Sequence, residues 1–95
     1  MSNTSCKGTE LLRVSSNTSP NSLAGAISHI IRNGNRADVA AIGASSVNQA
    51  VKAIAIANGY LTVNGIKLMC VPSFGRVEVD GLEKTTMNFL VESWE

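Results

Sequence analysis

Residues 43–60 read GASSVNQAVKAIAIANGY, and this stretch decides the fold because it carries the clearest helical pattern in the chain. Ser46 followed three residues later by Gln49 is a capping box, in which each side chain satisfies a backbone N–H left free by the first helical turn. The spacing predicts a helix from Val47 that ends at Asn58-Gly59 after about three turns. At 100° per residue, Val47, Ala50, Val51, Ile54, Ala55 and Ala57 form one apolar face, and Ser45, Gln49, Lys52, Ala53 and Ile56 form the opposite one. Ile56 is out of place on a solvated face. Either a partner subunit covers it, together with Gln49, Lys52 and Ala53, or it is one of the apolar residues that any folded surface exposes.

Working outward, a length of 95 residues makes a single domain large enough to bury a core. Only 4% of residues are aromatic, so the core is built from Ala, Val, Ile and Leu. Tyr60, Phe74, Phe89 and Trp94 are scattered and give no row of rings for stacking bases. Cys6 and Cys70 have neither C-x-x-C spacing nor a disulfide framework, which fits a reduced, cytoplasmic setting. Residues 1–9 hold one Lys and no apolar run, and read as a flexible tail without a signal peptide or membrane anchor, leaving residues 10–95 as the domain. The net charge of +1 conceals a polarity: residues 1–76 sum to +5, and residues 77–95 to −4. The bases stand singly, with no basic run.

Before the central helix, residues 10–15 alternate Leu12 and Val14 against Leu11 and Arg13, as a short strand does. Ser19-Pro20 then reads as N-cap and first helical residue. Leu23, Ala24, Ile27, Ile30 and Ile31 share one face of this helix, Gly25, Ser28, His29 and Arg32 take the other, and Asn33-Gly34 ends it. Residues 36–43 form a second strand, rich in small residues. After the central helix, residues 66–72 form a third strand, interrupted between Pro72 and Gly75. Asp80-Gly81 joins VEV to LEKTTMNFLVES as a two-residue hairpin leading into a long fourth strand. A simple register there sets Glu78 opposite Glu83, which requires a nearby base or a bulge. The expected fold is α/β, an α+β two-layer sandwich of βαβαββ order, with a mixed four-stranded sheet and two helices on one face.

No catalytic constellation, phosphate-binding glycine loop or zinc spacing is present, so the sequence reads as a non-enzyme without metal or cofactor. His29 has no cysteine or carboxylate at ligand spacing. The topology instead opens both helix N-termini at one sheet edge, where free N–H groups and positive dipole ends favour phosphate or carboxylate. Ser16, Asn17, Thr18, Ser19 and Asn21 surround one N-terminus; Ser45, Ser46, Asn48 and Gln49 surround the other. Each of these also suits an ordinary cap or turn role.

The strings LLRVSSNTSPNSLAGAI, AIGASSVNQAVKAIAIANGYL, GIKLMCVPSF and VEVDGLEKTTMNFLVE resemble, in order and spacing, the stage V sporulation protein S family. That family is similar to the Alba-like superfamily, whose βαβαββ architecture matches the order above and whose members are typically dimeric and bind nucleic acid. The resemblance implies a small cytoplasmic regulator tied to sporulation, septation or developmental control, with DNA or RNA as ligand. It also implies a hairpin that reaches toward a groove, making Arg76 and Lys84 binding residues beside Lys52. Alba proteins carry a lysine pair before the first helix and arginines around the glycine before the second. The corresponding SSNTSP and GASSVN carry no charge, which removes the main phosphate contacts. Two readings follow: a homodimeric nucleic-acid-binding regulator, or a homo-oligomeric module for contacts between proteins.

Overall fold

The computed structural model describes residues 8–94. In chain order the elements are β1 (Thr9–Val14), α1 (Pro20–Arg32), β2 (Arg36–Ala41), α2 (Ala44–Thr62), β3 (Leu68–Val79) and β4 (Leu82–Ser93). The sheet order is β1-β2-β4-β3, with β1 parallel to β2 and β4 antiparallel to both β2 and β3. This is the expected mixed four-stranded βαβαββ sandwich. Gly8 and Thr9 belong to the fold, not to the expected tail. Thr9 pairs with Arg36, and the Gly8 amide donates to Asn35 Oδ1 at 3.2 Å. The rest of that tail, residues 1–7, and Glu95 lie outside the described residues.

The α1 boundaries follow local chemistry. Ser19 Oγ accepts the Ser22 amide at 3.4 Å, Pro20 opens the helix, and Asn33 closes it. Ser28 departs from its expected polar face: it is 2% exposed, and its Oγ has no hydrogen-bond partner. The reason is that α1 packs on α2 as well as on the sheet, so its covered arc is wider than one stripe.

Helix α2 differs from its sequence reading at both ends and in its facing. Gly43 is the N-cap at φ 88°, ψ 158°, a conformation essentially restricted to glycine, and the chain turns from β2 into a helix three residues early. No side-chain cap forms. Ser46 is buried, and the capping box is replaced by a tertiary bond from Gln49 Nε2 to the Thr18 carbonyl at 2.9 Å. At the other end the helix runs through Gly59 to Thr62, because Leu61 is completely buried one turn later. The buried stripe is Ser46, Ala50, Ala53, Ala57 and Leu61, whereas Val51 is 49% exposed and Ala55 also faces out. Ala53 and Ile56 were assigned to the outer face; the core takes Ala53 completely and Ile56 in part. Small residues at this spacing let α2 approach α1 and the sheet closely, so packing distance outweighs side-chain hydrophobicity in setting the rotation.

Strand β3 is continuous through Pro72, which pairs with Phe89. An edge strand tolerates this proline because its missing N–H would have faced away from the ladder. The hairpin has the expected register, with Val79 opposite Leu82 and Glu78 opposite Glu83. Asp80 (φ 53°) and Gly81 (φ 78°) form the tight turn. The like charges are relieved by Arg76, whose Nη1 lies 3.5 Å from Glu83 Oε1.

Candidate functional site

Because β1 and β2 are parallel, their C-terminal ends Val14 and Ala41 lie side by side, and each leads through a short loop into a helix N-terminus. Ala41 pairs with Met87, so 82–86 of β4 and the facing end of β3 run past the end of β2. The hairpin therefore projects as an arm beyond the edge where both helices begin, in a molecule measuring 43 × 28 × 17 Å.

The first loop is closed by its own side chains: Ser15 N donates to Thr18 Oγ1 at 2.9 Å, and Asn17 N to Ser15 Oγ at 3.2 Å. Gln49 ties this loop to the second through the Thr18 carbonyl. The two N-termini are thus held as one unit. Ser19 serves as a cap and Gln49 as the bridge, while Ser46 is buried; none of these three presents a free polar group. Ser16, Asn17 and Asn21 are exposed around α1. Ser45, Asn48 and Lys52 are exposed at helical spacing along α2 and form one stripe. Neither helix carries an acidic residue in its first turn, so nothing opposes the positive dipole ends.

On the arm, Lys84 is exposed, and Arg76 shares an ion pair with Glu83. Both partners are largely solvated, so the pair contributes only about 0–1 kcal/mol and either side chain can be drawn to another charge. Glu78, Asp80 and Glu83 leave the arm slightly acidic. Among the described residues, no group of three or more His, Cys, Asp or Glu could hold a metal ion. His29 Nε2 meets the Asn33 side-chain amide at 3.2 Å. No described helix is long and apolar enough to cross a membrane.

A second surface escaped the sequence reading. Cys70, Pro72 and Phe74 alternate along β3 on the side that the helices cover elsewhere, but α2 meets this edge strand only at its start, where Leu68 N donates to Asn58 Oδ1 at 3.5 Å. Phe74 is 78% exposed. Toward the start of the same strand a groove of about 340 Å³ runs between α2 and β3, lined by Val51, Ile54, Asn58, Leu68, Cys70 and Phe89. Burial in this apolar setting pushes the Cys70 thiol above its ordinary pKa. The period-2 run Cys70-Pro72-Phe74 was the available signal, obscured by reading Pro72 as a break.

Architecture and edge together define a small α+β protein of βαβαββ order, with paired helix N-termini and a projecting hairpin at one sheet edge. The family model for stage V sporulation protein S (SpoVS) matches residues 10–94, and the chain belongs to that family. Membership makes it a small sporulation-related protein.

Proposed function

We propose that the protein is a non-enzymatic, cytoplasmic regulator that acts as a homodimer and binds the phosphate backbone of DNA or RNA. One observation carries this reading: both helix N-termini and the hairpin arm open at the same sheet edge, with no acid in either first turn. Backbone N–H groups there favour an anion, and Ser16, Asn17, Asn21, Ser45 and Asn48 add donors. Lys52, Arg76 and Lys84 supply the charge. With so few bases the binding is moderate and strongly screened by salt. The helix-side surface of β3, from the groove beside α2 along to Phe74, is where a second copy covers apolar surface.

The test is a titration of labelled double- and single-stranded oligonucleotides at two salt concentrations. Micromolar binding that falls with salt is expected, and Lys52→Glu should weaken it and lower the log–log salt slope by about one. Absent or salt-insensitive binding at low ionic strength contradicts the reading. A stable dimer without such binding would favour the second reading, a frame kept for contacts between proteins, which the exposed apolar groove supports.

A further inference from the structure

The sheet face turned away from the helices carries a separate cleft of about 370 Å³, within the range of small-molecule pockets. One wall comes from β1 and the loop after it, with Leu11 (54% exposed), Arg13, Ser15 and Thr18. The other comes from the hairpin, with Gly75, Val77 and Val79. Ala40 and Ile42 of the β2 end, with Thr86 and Asn88 of β4, form the floor. Two features of this floor specify its occupant.

The first is that its polar side chains, Thr86 and Asn88, are bonded to each other and to Asp38. Thr86 Oγ1 donates to Asn88 Oδ1, and Asn88 Nδ2 donates to Asp38 Oδ1 at 3.0 Å. Gly75 leaves room for this chain of bonds, since a Cβ there would stand 2.6 Å from Asn88 Oδ1 and 2.7 Å from Thr86 Oγ1. With these groups turned toward one another, the rest of the floor and the hairpin wall offer methyl and methylene surface from Ala40, Ile42, Val77 and Val79, which suits an aliphatic body.

The second feature is charge. The lining includes Arg13 and Arg76 and no acid; Asp38, on the same face, is engaged by Asn88 and lies outside the lining. Arg76 has Glu83, but Arg13 makes no hydrogen bond or ion pair with any described residue. A guanidinium on an apolar wall matches a carboxylate, which it can grip with two parallel N–H donors.

We propose that this open-face cleft binds an aliphatic monocarboxylate, with its chain on Ala40, Ile42 and Val77 and its head group on Arg13. A cleft of about 370 Å³ lies in the range that takes small ligands, and decanoate is a probe of that size. The cleft borders the first loop through Ser15 and Thr18 and includes Arg76 of the arm, while Arg13, its carboxylate contact, takes no part in the nucleic-acid reading.

The experiment is isothermal titration of the full chain with decanoate, and with decanol and adenosine monophosphate as comparators. Saturable binding at one decanoate per chain is expected, with decanol at least tenfold weaker and adenosine monophosphate not competing. Arg13→Gln should raise Kd about tenfold, and Ala40→Leu, which fills the floor, should abolish binding, while both variants keep the wild-type circular dichroism and unfolding midpoint. The proposal is overturned if decanoate does not saturate, if decanol binds as well, if adenosine monophosphate displaces it, or if Arg13→Gln leaves Kd unchanged. It is equally overturned if Ala40→Leu dissociates an oligomer in sedimentation without affecting decanoate, because the face would then be covered by a second copy.

Discussion

The body formed by β1, α1, β2 and α2 is packed closely enough that Ala24, Ala37, Ala50, Ala53 and Ala57 have no exposed surface. The hairpin leaves Phe74 78%, Leu82 64% and Val71 48% exposed. Both regions draw on the same kinds of residue, so composition does not explain the contrast. Coverage does. The two helices pack over the centre of the sheet and on each other, while β3 lies at the edge and meets α2 only near Leu68. With Phe89 and Val91 of β4 completing that core, the apolar residues on the outer part of the hairpin are left to serve something else, and Phe74 is the most exposed of them.

Substitutions in the body should act on folding. Leu61→Ala removes a fully buried side chain and should cost about 2–5 kcal/mol in urea denaturation. A much smaller loss would mean that the α2 extension is not anchored by Leu61. Gly43→Ala forces a Cβ into the conformation that starts α2 and should cost about 1–3 kcal/mol, readable as a lower denaturation midpoint with the slope unchanged. An unchanged midpoint would show that α2 starts by another route. Ser28→Ala should move the other way. Removing a buried hydroxyl without a partner should stabilise the body by about 1 kcal/mol, and a loss of stability would show that Ser28 makes a bond in solution.

The same division explains what the sequence could disclose. Helix α1 and the Asp80-Gly81 turn were legible because Ser19-Pro20, Asn33-Gly34 and the paired positive-φ positions act within a few residues. Helix α2 was legible as a helix but not in its limits or its facing. Its start depends on the Gly43 conformation, its end on the burial of Leu61, and its rotation on a stripe of small residues fitted against α1 and the sheet. Polar loops at one edge were expected from the topology. Which of their side chains are occupied was hidden, since Gln49 reaches a carbonyl 31 positions away and Ser46 is buried by its packing. The apolar strip on β3 was missed through a local rule about proline, which does not apply to an edge strand that continues through it.

The most direct test of this contrast is sedimentation velocity on the wild-type chain and Phe74→Asp across a range of concentrations, with denaturation on the same samples. A surplus apolar hairpin predicts a wild-type dimer and a Phe74→Asp monomer that stays folded, with a denaturation midpoint no longer dependent on protein concentration. A wild-type chain that sediments as a monomer at every concentration, or a Phe74→Asp variant that remains dimeric, would contradict the account.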